Sequence, residues 1–304
     1  MARARRIIPG FPLAMGYTLL YLTLLVLIPL GALFLRTSRL SWAEFWEIAT
    51  DPLVVASYKV TFAAALAAAA VNGVFGLLVA WVLVRYPMPG KRILDALIDF
   101  PFALPTAVAG LTFSNLYLPD GWIGGLGNNL AAAANWLTAR VGLGAQLAPD
   151  ALSWLNFPYS NTNTGITIVL IFVGLPFVVR TVQPVLQEWD LEYEQAAMSL
   201  GATRFTVFRR VIFPEILPAW LSGVALSFAR AVGEYGSVIF IASNIPGVSQ
   251  IVPLQIVSKI ESSTRPGYPE ATAVAVVLLL ASLLVLLLLN GLEWFTRRHE
   301  RAVT

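Results

Sequence analysis

The sequence predicts an all-α membrane protein with six transmembrane helices. Hydrophobic residues make up 58% of the 304 residues and charged residues only 12%. The mean hydropathy is +0.74, which is far too apolar for a soluble domain of ordinary composition. The apolar residues form six runs that are long enough to cross a bilayer. Short clusters of basic residues flank these runs, which is typical of membrane topology.

The six spans are predicted to form a single transmembrane domain over residues 1–304. Their predicted limits are 11–35, 60–84, 97–118, 165–186, 216–242 and 271–295. The first run is longer than a signal-peptide core and lacks a small-residue cleavage site, so we expect it to be retained. In the second span, Asn72 is expected to bond to a neighbouring helix or to its own backbone, with a substrate contact as the less favoured alternative.

Prolines interrupt the third span at Pro101 and Pro105, and they are tolerated where neighbouring protein or a cavity takes up the freed carbonyls. Asp99, just before them, is expected to cap the restarting helix, with a role in a membrane pathway as the less favoured alternative. Arg180 lies near the end of the fourth span and is expected to snorkel to the interface.

Composition excludes several function classes. Without cysteine there is no disulfide or thiol chemistry, and the only histidine, His299, lies in the charged tail, so no metal site and no histidine-based catalysis are expected. The net charge of +3 comes from clusters beside apolar runs, which argues against nucleic-acid binding. No phosphate-binding loop Gly-x4-Gly-Lys-Ser/Thr occurs in the sequence, so ATP would have to be hydrolysed by another chain.

The distribution of basic residues predicts the orientation of the chain. Of the 20 Lys and Arg residues, thirteen fall on the side of the two termini, six on the opposite side, and Arg230 within a span. The positive-inside rule therefore predicts cytoplasmic N- and C-termini. The loop 119–164 faces outward, with a short helix presenting Leu126, Leu130, Leu137 and Val141 on one side. Trp42 and Trp46 indicate an interfacial amphipathic segment after the first span.

A polar segment between the fourth and fifth spans is predicted to form two short cytoplasmic helices. Asp190 can cap the first, Glu192 and Glu194 favour its positive end, and Gly201 suits a left-handed stop. Thr203 can cap the second helix, which is expected to end where Pro214 breaks it. The small side chains of Ala196 and Ala197 would let a partner approach closely. A solvated helical loop without a partner is the alternative interpretation.

This segment resembles the cytoplasmic coupling motif of ABC importer permeases, which is Glu-Ala-Ala, three residues, Gly, nine residues and Ile-x-Leu-Pro. The same spacing occurs here in Gln195, Ala196, Ala197, Gly201 and the final Pro214. Gln195 occupies the position of the motif's Glu, and Glu194 precedes it by one residue. The resemblance implies that the coupling loop, residues 190–213, contacts an ATPase.

Two charged residues are predicted inside the fifth span, near its middle. Arg230 and Glu234 are four residues apart and share one helical face. One interpretation is a structural ion pair that fixes helix packing. The other is a site where Arg230 attracts an anion and Glu234 sets the strength of the attraction. The adjacent Glu would cancel much of the electric field that an anion feels. Ser227 and Tyr235 are weaker candidates for the translocation path, since their hydroxyls can bond to backbone carbonyls.

Most of the chain resembles one family more narrowly. RILDALIDFPFALPTAVAGLTF, LPFVVRTVQPVLQE and ARAVGEYGSVIFIA are similar to the CysT (CysU) permeases of sulfate/thiosulfate ABC importers, which are binding-protein-dependent inner-membrane components. The resemblance implies the type I ABC importer permease (MetI-like) fold in a bacterial inner membrane, with lipid around it. It also implies a heterodimer with a CysW-like permease, a CysA-like ATPase dimer carrying ATP and Mg, and an extracytoplasmic sulfate-binding protein.

On this interpretation the chain is a transport subunit that binds no cofactor and is no enzyme by itself. Molybdate or tungstate is the alternative substrate, because these oxyanions share the charge and shape of sulfate. A membrane-embedded enzyme and a passive anion channel are the rival functions. The enzyme would need a set of catalytic side chains at membrane depth. The sequence offers little there beyond Arg230 and Glu234, with Asp99 at the edge of a span.

Overall fold

The computed structural model describes residues 11–140, 161–262 and 268–301, and this part of the chain is helical, with no strand. The π-helical turns Thr23–Leu27 and Phe208–Ile212 join successive helices. The helices are α1 (Phe11–Leu22), α2 (Ile28–Thr37), α3 (Trp42–Ala49), α4 (Pro52–Arg85), α5 (Lys91–Ala103), α6 (Thr106–Leu116), α7 (Trp122–Arg140), α8 (Asn163–Glu188), α9 (Leu191–Ser199), α10 (Arg204–Val207), α11 (Phe213–Val232), α12 (Val238–Ile241), α13 (Val252–Ser262) and α14 (Pro269–Arg301).

Five helical segments in the described residues are long and apolar enough to cross a membrane, and a bent pair would make six. They overlap the predicted first, second, fourth, fifth and sixth spans, but the segment at the fifth span runs from Arg204 to Val232 instead of 216–242. The segments are Leu13–Thr37, Pro52–Arg85, Asn163–Glu188, Arg204–Val232 and Pro269–Gly291. The six-span prediction therefore depends on the bent pair, α5 and α6, crossing as one span.

The predicted third span, 97–118, is two helices rather than one. The chain bends by 110° between α5 and α6. Leu104 is extended, with φ −86° and ψ 130°, and Pro105 follows it. A proline disfavours helical geometry in the residue before it and lacks the N–H that would continue the ladder, which explains the break. Pro101 lies inside α5 and does not end it.

The expected helix end at Pro214 is wrong. Arg204 to Val232 form one continuous helical segment of 29 residues, which is about 43 Å long at 1.5 Å per residue. A π turn, Phe208–Ile212, immediately precedes α11, and Pro214 lies in the first turn of α11, where a missing N–H is tolerated. At its other end α11 stops at Gly233, well before the predicted limit of 242.

The core is formed by α4, α8 and α11, which approach closely at glycines. A Cβ on Gly76 of α4 would lie 2.7 Å from the Cβ of Val178 on α8. A Cβ on Gly223 of α11 would lie 2.9 Å from the Cα of the same valine. α8 is therefore held between the other two helices, and no side chain larger than hydrogen fits at either contact.

The remaining helices surround this core. α14 packs against α11, α2, α3 and α13, and the backbone N–H of Val252 donates to the Thr61 hydroxyl at 2.9 Å, which attaches α13 to α4. Trp42 and Trp46 are exposed on α3. The predicted outward helix is α7, on which Leu126 and Leu130 are exposed. Val141 and the side chains of Leu137 and His299 lie outside the described part of the chain.

Candidate coupling and translocation site

The coupling helix α9 begins two residues after α8 ends and is capped at both ends. The Asp190 carboxylate accepts from the backbone N–H of Glu192 at 2.9 Å, as predicted. Gly201 adopts φ +87°. Around it, the N–H of Ala202 donates to the Ala197 carbonyl and the N–H of Gly201 to the Met198 carbonyl. These two hydrogen bonds form a Schellman motif, which fixes the end of the helix.

Glu194 attaches α9 to the end of helix α4. Its carboxylate forms an ion pair with Arg85 at the end of α4, and the two side chains are only 17% and 15% exposed. The Arg85 guanidinium also lies 4.9 Å from the ring centroid of Trp81, one turn earlier. Because Glu194 and Arg85 are 109 residues apart in sequence, no local pattern could have predicted this contact.

The other coupling-loop residues divide into an exposed and a packed set. Gln195 and Ala196 are exposed, whereas Ala197 packs against a buried apolar cluster to which α4, α5, α8, α10, α11 and the π turn before α11 contribute. Pro214 is exposed on the first turn of α11. Large apolar side chains are also exposed here: Leu191, Tyr193, Met198, Leu200 and Phe205. An apolar patch of this kind at the end of a bundle is typical of a protein-binding surface.

Arg230 and Glu234 form the predicted ion pair, with 2.7 Å between Nη1 and Oε2. The expected position near mid-span is wrong, because Arg230 lies in the last turn of α11 and Glu234 follows the helix end at Gly233. Glu234 is 1% exposed and its Oε1 accepts from the backbone N–H and the hydroxyl of Ser237. Arg230 is 37% exposed. The buried Glu therefore holds the turn, and the Arg is the accessible member of the pair.

The structure does not bring Ser227 to the same surface as Arg230. Ser227 is fully buried, and its hydroxyl accepts from the Asn72 side-chain amide of α4 at 3.1 Å. The predicted interhelical bond of Asn72 is thus confirmed. Gly174 of α8 leaves room for the pair, since a Cβ there would lie 2.4 Å from the Ser227 Oγ. Tyr235 is partly exposed and lies in the turn between α11 and α12.

Helix α6 packs directly against the turn that contains Glu234. A Cβ on Gly110 would lie 2.1 Å from the Ser237 carbonyl oxygen, and a Cβ on Gly236 would lie 2.4 Å from the Thr106 hydroxyl. The two glycines therefore allow backbone contact between α6 and the turn. Any displacement of α6 must be accommodated by this turn, since the contact has no free space.

Sequence reasoning missed a polar cluster between α5 and α8. The Arg180 guanidinium donates from Nε and Nη2 to the two oxygens of Asp99, at 2.7 and 2.6 Å. It also donates to the Asp95 carboxylate at 2.8 Å and to the Gln183 side-chain carbonyl at 2.7 Å. The expectation that Asp99 caps a helix is wrong, because Asp99 lies inside α5 and Pro105 precedes the next helix. The snorkelling of Arg180 stays a prediction. The i, i+4 spacing of two Asp residues in an apolar helix was the available signal.

Comparison with known families places most of the chain in one of them. Residues 72–301 match the family described as "Binding-protein-dependent transport system inner membrane component". The sulfate transport system permease protein CysT of Salmonella typhimurium is 46% identical over 290 residues, covering 95% of each chain. The CysT protein of Synechocystis sp. is 46% identical over 282 residues, covering 93% of this chain and 89% of its own length.

Solved structures share the fold at low sequence identity. A bacterial ABC transporter involved in the import of alginate gives a TM-score of 0.67 at 13% identity, covering 93% of this chain and 95% of its own. The MetNI methionine ABC transporter in an inward-facing conformation gives 0.56 at 16% identity, covering 84% and 99%. The architecture is therefore that of type I ABC importer permeases.

Proposed function

Because the chain belongs to the family of binding-protein-dependent transport system inner membrane components, we propose that it is the permease subunit of an ATP-driven sulfate importer. The observation that carries the proposal is the coupling helix α9, which is capped, anchored by Glu194 and exposes apolar side chains, on a chain 46% identical to CysT over 95% of both lengths. The chain has no phosphate-binding loop of its own, so a partner must supply the energy.

The importer has a partner permease, a cytoplasmic ATPase and an extracytoplasmic binding protein. One alginate ABC transporter structure contains such a binding protein with its substrate. For this chain the partner permease is proposed to be CysW-like and the ATPase to be a CysA-like dimer that holds ATP and Mg. Both termini and α9 are proposed to face the cytoplasm, as the basic residues indicate.

In the proposed mechanism, ATP-driven closure of the ATPase dimer displaces α9. Leu200, at the end of α9, and Phe205, on α10, are exposed for contact with the ATPase. The displacement reaches α8 through the two-residue link and α4 through Arg85–Glu194. The bundle then changes from inward-open to outward-open and accepts the anion from its binding protein. Such a switch needs a bendable element, and the break between α5 and α6 is one.

Arg230 is proposed as the residue of this chain that attracts the anion. Its guanidinium is partly exposed and carries five N–H donors, of which the bond to Glu234 occupies one side. The buried Glu234 is proposed to orient Arg230 rather than to meet the anion. Tyr235 belongs to the same turn and is a weaker candidate, while Ser227 would need a rearrangement of the helix core to reach the path.

Uptake of radiolabelled sulfate in cells with and without this chain tests the proposal. Deletion is expected to abolish uptake in a host with no second sulfate importer, and the wild-type gene is expected to restore it. Excess thiosulfate is expected to compete with sulfate, and excess molybdate is expected to compete less. Unchanged sulfate uptake on deletion would contradict the sulfate assignment, and preferential loss of molybdate uptake would assign that oxyanion instead.

A further inference from the structure

The Arg180 cluster consists of Arg180 and Gln183 on α8 and of Asp95 and Asp99 on α5. Arg180 forms a bidentate pair of hydrogen bonds with the Asp99 carboxylate, and its Nη2 also donates to the Asp95 backbone carbonyl at 2.9 Å. The Gln183 amide donates to the Asp95 carboxylate at 3.3 Å. A planar guanidinium held in a fork by carboxylates has little freedom to change orientation. The cluster therefore fixes both the distance and the rotation of α5 relative to α8.

Helix α5 is not fixed in the same way to its other neighbour, α4. An apolar groove of about 440 Å³ lies between the two helices and reaches α8. Its walls include Leu78 and Val82 of α4, and Leu94 and Ile98 of α5. Such a groove offers no directional contact between α4 and α5. The directional contacts of α5 are therefore the polar ones to α8, which lie beside the apolar packing of Ile98 and the edge-on ring contact between Phe102 and Phe177.

Both helices of the cluster lead to sites with a proposed function. α8 continues after two residues into the coupling helix α9. α5 continues through the bend at Pro105 into α6, whose Gly110 contacts the turn that holds Glu234. A continuous series of contacts therefore connects the coupling helix to the turn beside Arg230.

We infer that the Arg180 cluster links α5 to α8 so that displacement of the coupling helix repositions α6 and the turn beside Arg230. Arg180, Asp95 and Asp99 are positioning residues, and the anion does not touch them. The bend at Leu104–Pro105 is the element that changes shape in this inference. The coupling helix acts on it from one side and the turn beside Arg230 from the other. This inference rests on the proposed transport function, but its structural part can be tested without any substrate.

The first test measures the link itself by electron paramagnetic resonance on the assembled four-subunit complex. The chain has no cysteine, so spin labels can be attached at Ile93→Cys on α5 and Gln187→Cys on α8, both at exposed positions. We expect a narrow distance distribution that is the same with and without ATP. In the Arg180→Gln variant it should broaden or shift. A nucleotide-dependent distance in the otherwise wild-type protein, or an unchanged distribution in Arg180→Gln, would overturn the inference.

The second test separates coupling from folding. Arg180→Gln is expected to reduce sulfate uptake at least tenfold, while complex yield and ATP hydrolysis stay within twofold of wild type. Arg92→Gln removes a positive charge from an exposed position of α5, the helix that carries Asp95 and Asp99, and is expected to leave uptake, yield and hydrolysis unchanged. A parallel fall of yield, hydrolysis and uptake would mean that the cluster only stabilises the fold, and this would overturn the inference.

A milder substitution covers the case in which Arg180→Gln does not assemble. Asp99→Asn keeps the shape of the side chain and leaves Arg180 paired with Asp95. It is expected to broaden the label distance and to reduce uptake several-fold with ATP hydrolysis retained. If the wild-type complex itself takes up no sulfate, the proposed function fails, whereas the label distances still decide whether the cluster links α5 to α8.

Discussion

At the scale of single residues, the end of the coupling helix depends on Gly201. Its φ of +87° is a left-handed conformation that costs a residue with a side chain about 1–2 kcal/mol. No atom lies within 4 Å of a Cβ placed there, so the cost comes from the backbone and not from a clash. The change should disturb α9 without unfolding the bundle.

Replacing Gly201 with Leu is therefore expected to abolish ATP-coupled sulfate uptake while leaving the amount of protein in the membrane unchanged. Uptake assays and immunoblots of the membrane fraction measure the two effects. Gly201→Asn is the matched control, because Asn tolerates the left-handed region, and it should retain most of the uptake. Normal uptake in Gly201→Leu would show that this turn has no role in coupling.

The double variant Arg230→Gln with Glu234→Gln tests the proposed anion contact. The double change leaves no unpaired charge, and the Gln at 234 can still accept from Ser237. If Arg230 attracts the anion, uptake should remain at least tenfold below wild type at normal membrane abundance. Recovery of uptake in the double variant, compared with Arg230→Gln alone, would show that the pair is structural.

Residue-scale expectations were most accurate where the signal is local. The Asp190 cap and the Gly201 stop follow from backbone requirements within a few residues, and the structure has both. The spacing of Arg230 and Glu234 correctly indicated their pairing. Contacts such as Arg85–Glu194 and Arg180–Asp99 join distant parts of the chain, and no pattern in a single sequence specifies which distant partners meet.

At the scale of helices, proline alone does not determine where a helix ends. Pro105 breaks the predicted third span, whereas Pro101, Pro176 and Pro218 lie inside continuous helices. Pro214 follows a π turn that carries the helix past it. Composition can identify each helix, but the outcome at each proline depends on packing that the sequence does not display.

The crossing of α4, α8 and α11 at Gly174 gives an element-scale prediction. A Cβ at Gly174 would lie 2.4 Å from the Ser227 Oγ and 2.5 Å from the Asn72 Nδ2. Gly174→Ala should therefore destabilise the protein by about 1–3 kcal/mol, the usual cost of overpacking. It would lower the thermal unfolding midpoint in detergent.

Gly31→Ala is the matched control for that experiment, because nothing lies within 4 Å of a Cβ at Gly31. Its midpoint should equal that of the wild type. Adding Ser227→Gly to Gly174→Ala removes one of the two clashing side chains and should recover part of the loss. Equal midpoints for Gly174→Ala and Gly31→Ala would contradict the close approach of the three helices.

At the scale of the whole molecule, composition was sufficient to identify a helical membrane protein. The charge distribution also predicts its orientation, which cysteine labelling can test in this cysteine-free chain. Leu200→Cys, 89% exposed on the coupling loop, should react with a membrane-impermeant maleimide only when the reagent can reach the cytoplasmic side of the membrane. Trp42→Cys on α3 should react from outside in intact cells with a permeabilised outer membrane. The opposite pattern would reverse the topology.

The most direct measurement of the central claim is ATP-dependent sulfate accumulation in proteoliposomes that contain this chain, its partner permease and the ATPase. ATP and Mg are supplied on the side of α9, and the loaded binding protein on the other. We predict accumulation against a gradient that requires ATP and binding protein and is lost with Gly201→Leu. Sulfate flux that needs neither ATP nor binding protein would indicate a passive channel and contradict the account.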